Sequence, residues 1–169
     1  FIAVRDAAAH YGGHIVAIPR DNLPVLTRQG SQDPLWNATD AWTPATAVRT
    51  HQNAKTVILT IGAPSFMAIS AAEKASGQGV PTDVYVINAD IAGRYTRVLT
   101  LEDGLIGTPT SGPRGFAAVA AGALQGTSVA LDHFGIVDPS VAPSETFMEL
   151  WEHFGMTEPH LLRALLDRR

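Results

Sequence analysis

From Thr56 to Ile61 every residue is aliphatic or β-branched, and Gly62-Ala-Pro-Ser65 follows at once. A strand with no polar face has to be covered on both sides, which in a globular domain means a parallel sheet between helical layers. The glycine and proline turn that strand into a helix over Phe66–Ser76, with Ser65 as its expected cap and Gly77 and Gly79 as its stop. Two further strands are expected at Asp83–Ile87 and Arg97–Leu101, the second ended by Glu102-Asp103-Gly104. A glycine-bearing loop (Gly107, Gly112, Gly115) then leads to a small-residue helix over Phe116–Leu124, and Ser128–Leu131 reads as a fourth strand. The fold class is therefore α/β, an open and mainly parallel sheet with helices on both faces.

The rest of the chain has a different texture. Phe1–His10 reads as the end of a helix, without an initiator Met or N-cap, and is stopped by Gly12-Gly13; His14–Ile18 is a short strand closed by Pro19-Arg20-Asp21. Between residues 21 and 46 lie Pro24, Gly30, Pro34 and Pro44 with no periodicity, a loop longer than compact domains ordinarily carry. A domain boundary is expected there. In the tail, Phe147, Leu150, Trp151 and Phe154 share a helical face that Ser144 can cap and Gly155 terminates. Thr157 caps a last helix bearing Leu161, Leu162, Leu165 and Leu166.

Composition narrows the function classes. Apolar residues at 46% against 17% charged exclude a disordered chain. The longest apolar runs, Thr56–Ile61 and Phe116–Leu124, fall far short of the roughly 20 residues of a membrane span, so no membrane partner is expected. A formal charge of -4 without a basic cluster argues against nucleic acid. The absence of cysteine excludes thiolate chemistry and fits a cytoplasmic location.

Single motifs carry little chemistry. The Gly62–Ser65 turn occupies a phosphate-cradling position but lacks the GxGxxG spacing, and the Asp103–Gly112 loop lacks GxxxxGK[ST]; both read as ordinary connections. Ser65, Ser111 and Ser144 lack the GxSxG context of an exposed nucleophile. Six histidines (10, 14, 51, 133, 153, 160) show no HxH or HExxH pairing, so no metal ligands are assigned. His133 follows an expected strand end at Asp132, where parallel sheets gather ligands, and is the best histidine candidate for substrate binding. Glu102 and Asp103 stand at another strand end, open to proton chemistry or to plain solvation. Arg20 ends a strand, and its planar guanidinium suits either a carboxylate or phosphate ligand or an ion pair with Asp21.

One connection is awkward. Parallel neighbours at Asp83–Ile87 and Arg97–Leu101 need a crossover of a dozen or more residues, and only about nine, Asn88–Thr96, are present. Either the strands are not neighbours, or the link over 88–94 is abbreviated, or residues are missing from it.

The order of segments resembles a known family. Ile18-Pro-Arg-Asp21, Thr56-Val-Ile-Leu-Thr-Ile-Gly62, Val98-Leu-Thr-Leu-Glu-Asp-Gly104, the helix at Gly115-Phe116, Gly135-Ile-Val-Asp-Pro139 and His153-Phe-Gly-Met-Thr157 are similar to the C-terminal part of thiamine-diphosphate enzymes of the transketolase and 1-deoxyxylulose-5-phosphate synthase type. The resemblance implies that residues 1–26 are the tail of a pyrimidine-binding domain, 27–45 a linker and 46–169 a transketolase C-terminal-like domain. It implies a dimer-bracing part of an enzyme that moves a two-carbon unit between sugar phosphates or related aldehydes. Thiamine diphosphate and magnesium would be held by other domains or by a partner subunit in a homo- or hetero-oligomer. This chain carries no Gly-Asp-Gly segment with its following Asn, so alone it is expected to bind no cofactor and to be inactive, with no catalytic residue assigned. Of the family's substrate-binding positions only Arg20 matches, as a binder of substrate phosphate. The alternatives are the C-terminal domain of a 2-oxoacid dehydrogenase β subunit, and a non-catalytic binding or scaffold domain.

Overall fold

The computed structural model describes residues 9, 22–40, 46–86, 94–141 and 146–167. The elements in chain order are β1 (Thr46–Arg49), β2 (Thr56–Ile61), α1 (Ser65–Gly77), β3 (Thr82–Val86), β4 (Arg97–Leu105), β5 (Gly107–Thr108), β6 (Gly112–Pro113), α2 (Gly115–Ala123), β7 (Ala130–Ile136), α3 (Phe147–His153) and α4 (Glu158–Leu166). Five strands form one sheet in the order β1-β3-β2-β4-β7, and β5 and β6 make a small hairpin. The β3–β2, β2–β4 and β4–β7 pairings are parallel and β1 runs antiparallel to β3. The fold is the expected mainly parallel α/β sheet with helices on both faces.

β2 is central because it has no face that tolerates water: Val57, Ile58 and Leu59 are all fully buried. Ile58 faces one layer with Val84, Leu99 and Leu101, closed by α1, α4 and Trp151. Val57 and Leu59 face the other, with Val98, Tyr95 and Leu124 and the flank of Phe116 at the start of α2. In α1 the alanines 68, 71, 72 and 75 let the helix backbone approach the sheet closely. Among the described residues no helix is long and apolar enough to cross a membrane.

β3 and β4 are not neighbours; both pair with β2, which lies between them. The chain still returns from the carboxyl end of β3 to the amino end of β4, a parallel crossover that skips over β2. Residues 87–93 of their connection lie outside the described residues, and with them all of the expected link over 88–94 except Arg94.

Several boundaries differ from the sequence reading. β4 runs through Glu102-Asp103-Gly104 to Leu105. The last strand is Ala130–Ile136 rather than Ser128–Leu131, because Gly135, whose Cβ would strike Ile106, lets β7 continue close against β4. Pro64, not Ser65, sits at the N-cap of α1; the Ser65 hydroxyl donates instead to the Gly62 carbonyl at 2.8 Å. The tail helix is capped by Thr146 in a reciprocal box with Glu149, and Ser144 lies outside the described residues. Thr157 holds the N-cap position of α4, but its hydroxyl donates to Glu152 at 2.6 Å. Within residues 22–40, Leu35 is 8% exposed and packs into the core beside Val48.

Candidate functional site

In doubly wound sheets ligands collect where the chain leaves two adjacent parallel strands in opposite directions, outside their carboxyl ends. Here that point lies between β2 and β4. From β2 the chain passes through α1 to β3 on one side, and from β4 it passes through the hairpin and α2 to β7 on the other. Ile61 and Glu102 are paired across this point.

Two consecutive carboxylates occupy it. Glu102 is 5% exposed; its Oε2 accepts from the Phe116 N–H at 3.1 Å and its Oε1 from the Ala117 N–H at 2.8 Å. Those are orphan donors of the first turn of α2, so Glu102 caps a helix from a neighbouring strand and lies at its positive dipole end. Asp103 points to the opposite face and accepts from the Ala63 N–H at 3.3 Å, in the turn from β2 to α1. Glycines make the room. A Cβ on Gly115, whose φ is +60°, would lie 2.5 Å from Glu102 Oε2, and one on Gly62, at φ +83°, would strike the Asp103 carboxylate.

These contacts set the two acids apart, Glu102 buried and Asp103 exposed. Glu102 is neither solvated nor turned toward a substrate space, since both its oxygens are spent on backbone amides. The signal missed in the sequence was the glycine spacing: Gly62, Gly104 and Gly115 line these carboxylates. In the Gly62–Ser65 turn the Ser65 amide and hydroxyl both donate to the Gly62 carbonyl, and in the later loop Thr108 and Ser111 bond each other across the hairpin.

His133 is not beyond a strand end. It lies inside β7, opposite Thr100 of β4, with Nδ1 2.8 Å from Thr100 Oγ1. Burial pushes its imidazole below the ordinary value, against the opposing pull of Asp132 and Glu102. The positional argument for His133 as a substrate ligand is thereby removed. Its neighbour Asp132 pairs with Arg97 at 2.8 Å. Arg20 lies outside the described residues.

Among the described residues, cavities lie at both ends of the sheet. One of about 270 Å³ lies at the carboxyl side between the hairpin and Val137–Pro139, with Arg114 and Asp138 among its walls. A larger one, about 440 Å³, opens at the opposite, amino end, beside Lys55, Thr96, Arg97 and Leu165. Near that end Asp83 accepts from the Tyr95 hydroxyl at 2.7 Å and from the His51 N–H at 2.7 Å. Burial, then the Asp83 hydrogen bond, pushes the Tyr95 phenol above its usual range, so Tyr95 stays a proton donor and ties β4's entry to β3. Among the described residues no group of three His, Asp or Glu side chains is arranged to hold a metal ion.

A mainly parallel α/β domain with two consecutive acids at its topological switch point is the class these features define. No family model and no curated protein matches the sequence. Solved structures do. A split-gene transketolase, an inactive β4 tetramer, matches with a TM-score of 0.65 at 16% identity, over 86% of this chain and 46% of that one. Transketolase from Campylobacter jejuni matches with 0.54 at 14% identity over 74% of this chain and 18% of its own, and that from Leishmania mexicana with 0.50 at 16% over 72% and 17%. The chain thus has a transketolase-like fold, and it spans less than half the length of the split-gene protein.

Proposed function

We propose that this chain is the C-terminal, dimer-bracing portion of a transketolase-like thiamine-diphosphate enzyme that transfers a two-carbon unit between sugar phosphates or related aldehydes. The observation that carries the reading is the likeness to the split-gene transketolase over 86% of the chain. The order of segments from Ile18 to Thr157 supports it independently of the fold.

The acids at the switch point between β2 and β4 do not fit the cofactor. A diphosphate with magnesium needs free carboxylates and free amides at one place. Both oxygens of Glu102 are taken by the amides of Phe116 and Ala117, and one oxygen of the exposed Asp103 by the amide of Ala63. In this reading thiamine diphosphate and magnesium are held by other domains or by a partner subunit of a homo- or hetero-oligomer, and when bound they supply the carbanion chemistry. The contribution of this chain is mechanical: a rigid sheet presented to a partner, with Arg20 as the one residue offered to a substrate phosphate.

The test is reconstitution. The chain is co-expressed with the segment or subunit carrying a Gly-Asp-Gly cofactor motif, and two-carbon transfer from a ketose phosphate is assayed with thiamine diphosphate and magnesium. Activity that requires both parts supports the proposal. A stable complex with no cofactor-dependent transfer, or saturable binding of thiamine diphosphate by this chain alone, overturns it.

A further inference from the structure

The amino ends of α1 and α2 both open onto the carboxyl edge of β2 and β4, the position at which parallel sheets commonly receive the phosphates of nucleotides and sugars. We infer that Glu102 and Asp103 are built-in anions that fill this crevice, so that the sheet admits no phosphate there and any phosphate the protein recognises is read elsewhere. The inference does not depend on the transferase reading.

Three features carry it. At the amino end of α2 the amides of Phe116 and Ala117 are taken by Glu102, and in the turn just before the α1 cap the Ala63 amide is taken by Asp103. The space is shaped to these side chains, since methyl groups on Gly62, Gly104 and Gly115 would each press on one of the two carboxylates. Finally, the charges are adjacent in sequence and diverge to opposite faces of β4, so an anion approaching either helix end meets a like charge at close range. Glu102 is sealed at 5% exposure, whereas Asp103 is exposed. The α1 side is therefore the one that a single substitution can open.

The experiment titrates inorganic phosphate into the full chain and follows the backbone amides of Ala63, Phe116 and Ala117 by NMR. In the wild type these amides show no saturable response, and Phe116 and Ala117 exchange slowly with solvent. In Asp103→Ala the Ala63 amide acquires a saturable response, with phosphate bound at least about tenfold tighter than in the wild type, while Phe116 and Ala117 stay unmoved. Saturable shifts in the wild type, or rapid exchange at Phe116 and Ala117, would show an open crevice and overturn the inference. So would a folded Asp103→Ala chain without the gain. Should that variant not fold, the wild-type titration and exchange still decide, since each reads closure directly.

Discussion

His133 Nδ1 lies 2.8 Å from the hydroxyl of Thr100 across the β4–β7 ladder, and Thr100 is completely buried. The imidazole is held neutral there, its pKa lowered from 6.5 mainly by burial. The unfolded chain then binds a proton at a pH where the folded chain does not, so stability is full above about 6.5 and is lost as pH falls through the lower folded value. Urea midpoints measured from pH 8 down to 5 should fall in the wild type, and His133→Gln should flatten the part of the slope this residue supplies. An unchanged slope in that variant would assign the acid sensitivity elsewhere.

Replacing Glu102 by Gln exchanges an acceptor on two backbone amides for a group that presents an NH2 to one of them. The loss should be roughly 1.5–3 kcal/mol in denaturant unfolding, the range for hydrogen bonds to a charged group. Gly115→Ala should be at least as damaging, since it combines φ +60° with a Cβ 2.5 Å from the same carboxylate. Its companion Gly122→Ala, where an added Cβ meets nothing within 4 Å, should be neutral or mildly stabilising.

Glu158 in the first turn of α4 accepts from Lys74 Nζ at 2.6 Å and from the Ser70 hydroxyl, joining α4 to α1. Those two hydrogen bonds, that of Lys74 first, hold its carboxyl below the usual 4.5. This contribution is present above pH 4.5 and disappears as pH falls through the folded value. Glu158→Gln should lower stability at neutral pH by about 1 kcal/mol and narrow its difference from the wild type in acid. Lys74, with 54% of its side chain exposed, should give a smaller loss on replacement by Ala, between about 0 and 1 kcal/mol.

The capping box at Thr146 offers a local test. Thr146→Ala removes an acceptor for the Glu149 N–H and a donor to the Glu149 carboxylate, at a cost of about 1 kcal/mol. Thr146→Ser should recover most of it. Equal losses for both would mean that packing of the threonine methyl, not the cap, is what holds α3.

Arg20, outside the described residues, is testable in a reconstituted enzyme. Arg20→Ala should raise KM for a phosphorylated acceptor about ten- to a hundredfold, the equivalent of roughly 1.5–3 kcal/mol, and Arg20→Lys should restore only part. An unchanged KM with reduced thermal stability would make Arg20 a structural ion-pair partner.

How far the sequence could be read depended on whether the signal was local. β2 was legible because Thr56–Ile61 has one environment throughout, and the tail helices because their apolar residues recur on one face. β7 was misplaced because Asp132, His133 and Gly135 interrupt its apolar pattern; their places are set by Arg97, Thr100 and Ile106 on β4 and in the segment after it. The turn signal of Glu102-Asp103-Gly104 concealed four further residues of strand for the same reason: a helix and a loop from elsewhere in the chain satisfy what looked like loop acids. β1 lay hidden beside the proline-bearing stretch, since its pairing with β3 is long-range. Strand order, which places β2 between β3 and β4, is written in no single segment.

Glu102 and Asp103 are neighbours in the chain, yet they close loops of very different length. Glu102 reaches partners 14 and 15 residues away, while Asp103 reaches one 40 residues away. Closing the longer loop costs about 0.9 kcal/mol more chain entropy by the logarithmic rule. The capping of α2 by β4 can therefore form within a short segment early in folding, whereas the Asp103 contact waits until β2 and β4 lie side by side. One dipeptide thus records two stages of assembly, a local one on one face of the strand and a global one on the other.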